Sequence, residues 1–109
     1  MASELLKVGL TSQVTDAERI LINGVSGHTY TVLSIMICET AGNAETFDLY
    51  VDDGGAGSAD YYIYKDQAIA AKATFEHTSK LVIEGLDHLS ILASAGDLDV
   101  VVSYLDQTL

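Results

Sequence analysis

The side chains best placed to do chemistry in this chain are acids. Asp48, Asp52, Asp53 and Asp60 flank a glycine-rich stretch, and Asp97 and Asp99 flank a second turn. Calcium takes roughly six to eight oxygens from loops of this kind. The run Asp52-Asp53-Gly54-Gly55, however, lacks the ligand spacing of a calcium-binding loop between two helices, and it has no late bidentate glutamate. Aspartates in turns ordinarily hydrogen-bond their own backbone, and that role is expected here. His28, His77 and His88 lie far apart, and none makes a close ligand pair with Cys38. A zinc centre needs about four such ligands, or three and a water. The stretch Asp53-Gly54-Gly55-Ala56-Gly57-Ser58-Ala59-Asp60 has acids at both ends and no lysine after its glycines, so it is not a phosphate cradle. No Gly-x-Ser-x-Gly elbow marks a nucleophilic serine, and nothing singles out one carboxylate pair for hydrolysis. The expectation is therefore no catalytic residue, no metal ligand and no cofactor.

Tyrosine is the other unusual group. Tyr61, Tyr62 and Tyr64 cluster in one segment, and Tyr50 precedes them. If the two segments pair, they place aromatic area on a sheet. Such area serves as cross-strand packing, as a protein contact face, or as a platform for sugar rings.

Strands must position these side chains, because apolar residues recur with period 2. In Thr46-Phe47-Asp48-Leu49-Tyr50-Val51-Asp52, the residues Phe47, Leu49 and Val51 share one face and the polar residues share the other. Further strands are expected over 5–10, 18–25, 29–39, 61–67, 73–77, 80–84, 89–94 and 98–104. Asn23-Gly24, Ser26-Gly27, Ala41-Gly42-Asn43 and Ala95-Gly96-Asp97 supply turns between them. The segment Gln67-Ala68-Ile69-Ala70-Ala71-Lys72-Ala73 could form one helical turn, but its strand-like neighbours make it a bend. About eight or nine short strands imply an all-β chain: a single antiparallel β-sandwich domain over 1–109, jelly-roll or Ig-like, with an N-terminal arm over about 1–10. The expected core is Leu33, Ile35, Ile37, Phe47, Leu49, Val51, Ile83, Leu89, Ile91, Val100 and Val102, with Cys38 as a small buried residue.

Composition narrows the partners. The 109 residues hold 5 Lys and Arg against 16 Asp and Glu, a formal charge of −11. A phosphate backbone or an anionic membrane needs clustered cations, so neither nucleic acid nor membrane is an expected partner. The start Met1-Ala2-Ser3-Glu4-Leu5-Leu6-Lys7 does not read as a secretory signal, and one cysteine cannot form an intrachain disulfide. Apolar residues make up 49% of the chain, with a mean hydropathy of +0.26, enough for a core and for apolar area left outside it. Proline, a common guard of sheet edges, is absent. Edges here must be guarded by acids or covered by neighbours; cover, as in an oligomer, is the expectation.

Several runs also resemble a known group. His28-Thr29-Tyr30-Thr31-Val32-Leu33-Ser34-Ile35 leads through Ala41-Gly42-Asn43 into Phe47-Asp48-Leu49-Tyr50-Val51. Tyr64-Lys65-Asp66-Gln67, Leu81-Val82-Ile83-Glu84-Gly85 and Ala93-Ser94-Ala95-Gly96-Asp97 follow. Over about residues 25–106 this pattern resembles small β-sandwich virion structural proteins of tailed bacteriophages, most like marine, cyanobacterial-phage versions. It departs where that group often has Pro-Ala, at Val25-Ser26-Gly27 and at Ala70-Ala71. The resemblance implies a non-enzymatic virion component assembled in the host cytoplasm. The expected station is capsid decoration or cement, with a tail, neck or fibre subunit next and a carbohydrate-binding module as the alternative of another class. The expected partners are the chain itself, as a trimer, and other virion proteins such as a major capsid protein. Leu5, Leu6, Val8, Tyr61, Tyr62, Leu105 and Leu109 are the expected interface.

Overall fold

Strands with one apolar face need a second sheet to cover it, and this chain supplies one by folding back along its own length. The computed structural model describes residues 3–54 and 59–108. Among them are nine strands and no helix: β1 (Ser3–Val14), β2 (Arg19–Asn23), β3 (His28–Glu39), β4 (Glu45–Asp52), β5 (Asp60–Ile69), β6 (Thr74–His77), β7 (Leu81–Glu84), β8 (His88–Ala93) and β9 (Leu98–Thr108). The pairing is nested and antiparallel: β4 with β5, β3 with β6 and β7, β2 with β8, β1 with β9. The chain is thus one long hairpin with its tip between β4 and β5. Rolled up, its arms alternate in two sheets, β1-β9-β3-β6 with β7 also on β3, and β2-β8-β4-β5. That order is a jelly roll; an immunoglobulin-like sandwich would pair β1 with β2 instead.

β6 and β7 lie end to end along β3, β6 against Ile35 to Cys38 and β7 against Thr29 to Val32. The break between them faces a bulge in β3, where its register on β9 slips between Val32 and Ser34. The bulge changes which residues point inward. Tyr30 and Val32 are buried before it, and Ile35 and Ile37 after it. Leu33, expected in the core, is therefore turned outward. Val51 only packs against the core, and Cys38 is half-buried on the outward parity of β3 rather than inside. The other expected core residues are buried, joined by Val14, Ile22, Tyr30, Val32, Ile69, Ala93 and Leu98. Phe47 lies at the centre, edge-on to Phe75 and Tyr64. Its truncation to alanine would cost about 3–5 kcal/mol.

Of the residues expected as an N-terminal arm, those from Ser3 onward form an edge strand. β1 pairs with β9 from Ser3 opposite Thr108 to Val14 opposite Leu98. The 70–73 segment is a turn closed by Ala73 N–H donating to Ala70 O at 3.1 Å. At Gly24 any Cβ would lie 2.1 Å from the carbonyl oxygen of Asp87, so only glycine lets β2 leave its sheet this close to the β7–β8 turn.

Candidate assembly surface

In an antiparallel pair, residues directly opposite share a face. The register of β1 on β9 sets Leu6 opposite Leu105, Val8 opposite Ser103 and Leu10 opposite Val101. β9 on β3 continues these rows to Thr31, Ser34 and Met36, and β7 adds Val82 opposite Thr31. All of these lie on the outer face of the first sheet. Leu6 is 77% exposed and Leu10 75%; Val8, Val82, Met36, Leu33 and Val101 are exposed as well. Leu6, Val8, Leu33 and Ser103 line an open depression of about 390 Å³. Isolated exposed leucines are ordinary, but a contiguous apolar patch across three strands is not.

β1 is also the free edge of its sheet. Lysines often guard such edges, but Lys7 is turned away. Its Nζ donates to Asp106 Oδ2 at 2.8 Å, and His28 Nδ1 donates to Asp106 Oδ1 at 2.8 Å. Asp106 is buried and ties β1, β9 and β3 together. The bond from Lys7, then that from His28, holds the Asp106 carboxyl below its ordinary range. The cation of β1 thus fixes the strand and leaves its outer edge unguarded.

The outer face of the second sheet has the opposite character. Asp48 accepts Lys65 Nζ at 3.1 Å and the Asp66 backbone N–H at 2.7 Å, at a bulge where β5 slips against β4. The Tyr50 hydroxyl donates to Glu18, and burial, then Glu18, holds the phenol well above its ordinary range. Tyr62 packs on Tyr50 with Lys65 Nζ 4.5 Å above its ring. Asp48 and Tyr50 are buried beneath these side chains.

The expected interface residues therefore fall into separate places. Leu5, Leu6 and Val8 are exposed on β1, and Leu105 is half-buried in the same sheet. Tyr61 and Tyr62 are exposed on β5, the far edge of the other sheet, and they point to opposite faces. Leu109 and residues 55–58 of the glycine loop lie outside the described residues. Tyr64 packs inward on Phe47 and Phe75, and its hydroxyl meets His77 Nδ1 at 2.8 Å. Sequence reasoning missed Leu10, Leu33, Met36, Val82 and Val101. Unbroken runs such as Val100-Val101-Val102 and Ile35-Met36-Ile37 carried the signal, since they put apolar side chains on both faces of one strand. Among the described residues, no three His, Cys, Asp or Glu side chains come together as a metal site.

No family model and no curated protein sequence matches this chain. Solved structures do. A subunit of Bacillus endospore appendages, described as disulfide-linked pili, superposes over 100% of this chain and 91% of its own, with a TM-score of 0.61 at 12% identity. A chain of infectious bursal disease virus, Gx strain, superposes over 100% of this chain at TM-score 0.56 and 12% identity. One from the T13 particle of that virus covers 96% at 0.52 and 10%. The chain spans about a third of the length of these two viral chains, 32% and 35%. At such identities the likeness is one of fold: a two-sheet β-sandwich shared with subunits of particles and filaments.

Proposed function

We propose that this chain is a non-enzymatic structural subunit of a virion, held in a multi-copy assembly by the outer face of its first sheet. The observation that carries this reading is the apolar stripe of Leu6, Val8, Leu10, Leu33, Met36 and Val101 beside an unguarded edge strand. The occupant proposed for it is a second copy of the chain. With Val82, the stripe offers on the order of 700 Å², near the about 800 Å² per partner of a standard interface. Charge supports the same occupant. Of the acids behind the net charge of −11, Glu4 and Glu84 flank the stripe at one end and Asp99 and Glu76 at the other. The rows between them, through Leu6 and Val8, carry no carboxylate, so two copies can meet there over apolar contact.

The station proposed is the outer capsid of a tailed phage, as a decoration or cement subunit that also touches the shell protein; a tail, neck or fibre position comes second. A disulfide-linked filament fits less well, because the single thiol of these residues, Cys38, allows at most one link per copy. A sugar platform is not favoured either, since Tyr61 and Tyr62 face apart and Tyr64 packs inward. Sedimentation velocity of the purified chain tests the subunit reading. Concentration-dependent association is expected, and a monomer at all concentrations would overturn it. Copy number per particle, in the hundreds for a shell and in multiples of six for a tail or neck, decides the station.

A further inference from the structure

The end of the sandwich opposite Asp106 holds two carboxyl groups that assembly does not use. Glu39 ends β3 on the same parity as Ile35 and Ile37 and is fully buried. Its Oε2 accepts the Ala41 N–H at 3.0 Å; its Oε1 accepts the N–H of Gly42 at 2.8 Å, of Asn43 at 3.2 Å and of Lys72 at 3.0 Å. One side chain thus ties the turn after β3 to the turn after β5. These amides, Lys72 first, hold Glu39 below its ordinary range. Glu45, the first residue of β4, is 8% exposed, and neither of its oxygens has a hydrogen-bond partner in good geometry. Burial, then the neighbouring Glu39 carboxylate and the charge of Asp97, pushes Glu45 above its ordinary range, with the Ala95 amide opposing. Two adjacent buried carboxyls do not both ionise readily. Four donors stabilise the ionised form of Glu39, so the proton belongs on Glu45.

We propose that Glu45 and Glu39 form a one-proton latch, with the neutral Glu45 carboxyl donating to the Glu39 carboxylate, so that this end of the sandwich is closed while the pair holds one proton and loosens when that proton leaves. The charged groups facing Glu45 are Glu39 from β3 and Asp97 from the β8–β9 loop, both acids. Lys72, in the turn after β5, gives its backbone N–H to Glu39 and lays its side chain over Gly42. A group that holds its proton more tightly when folded stabilises the fold below its unfolded range. That contribution is lost as pH rises through the folded value. Glu39 and Asp106 have the opposite sign and weaken in acid, so Glu45→Gln isolates the latch.

The test is a carboxyl carbon NMR titration of the full chain, with amide exchange at 41–43 and 72, in wild type and Glu45→Gln. Glu45 is expected to titrate above the ordinary glutamate range and Glu39 below it. With rising pH the protection of the wild-type amides should fall, their rates rising beyond the intrinsic pH dependence by about tenfold for each unit that folding adds to Glu45. The Glu45→Gln amides should not. Titration of Glu45 at or below the ordinary range, or equal acceleration in the variant, would overturn the latch. So would millimolar calcium slowing exchange in wild type alone, which would make the pair a cation site.

Discussion

The two outer faces of this sandwich handle their side chains in opposite ways. On the second sheet, Asp48 and Tyr50 on the outer face of β4 are covered from within the chain. Lys65 and the Asp66 amide satisfy Asp48, Glu18 takes the Tyr50 hydroxyl, and Tyr62 lies over the tyrosine. On the first sheet nothing among the described residues folds over Leu6, Val8, Leu10 or Met36. Lys7, which could have shielded that edge, reaches back to Asp106. A face that closes on itself stabilises the monomer. A face left apolar and open gains free energy only from what covers it. The contrast separates residues whose loss should unfold the chain from residues whose loss should only disperse it.

The largest expected effect is on dispersal. Leu6→Asp with Leu10→Asp should weaken self-association by roughly 100-fold or more, with circular dichroism unchanged. Sedimentation velocity reads it, and an unfolded variant or an unchanged constant would each break the contrast. Next comes the closed face. Asp48→Ala strips the acceptor from the bulge amide of Asp66 and should cost about 2 kcal/mol in urea unfolding while leaving association as it was.

These two faces were unequally legible in the sequence. Period 2 and the Asn-Gly and Gly-Asp turns located all nine strands, because a half-buried strand must alternate and tight turns need residues that tolerate unusual backbone angles. Bulges were not legible. The slip in β3 at Leu33 and the slips in β5 about Tyr64 each change the face of the residues beyond them, and they depend on pairing partners distant in sequence. Hence Leu33 was expected inside, and the three tyrosines were expected to share a patch that their pairing divides. Glu39 was overlooked although it continues the spacing of Ile35 and Ile37, since its burial depends on amides from two other turns.

Smaller effects depend on pH and salt. Asp106 sits below its ordinary range, so its contribution is present at neutral pH and lost as pH falls through its folded value. Asp106→Asn should lower the thermal midpoint near pH 6 and flatten its fall in acid, because β1 loses its anchor. The smallest effect is of salt. Copies that each carry −11 repel at long range while their apolar stripes attract. Raising salt from low to about 0.5 M should therefore tighten association by a few fold, whereas an interface built on ion pairs would weaken.

The most direct measurement is amide hydrogen exchange by mass spectrometry on the intact chain, dilute and concentrated. With rising concentration, β1 and the adjoining rows of β9 should become protected while β5 around Tyr61 and Tyr62 stays unchanged. Protection confined to β5, or none at any concentration, would contradict the claim that the open face of the first sheet is where copies of this chain meet.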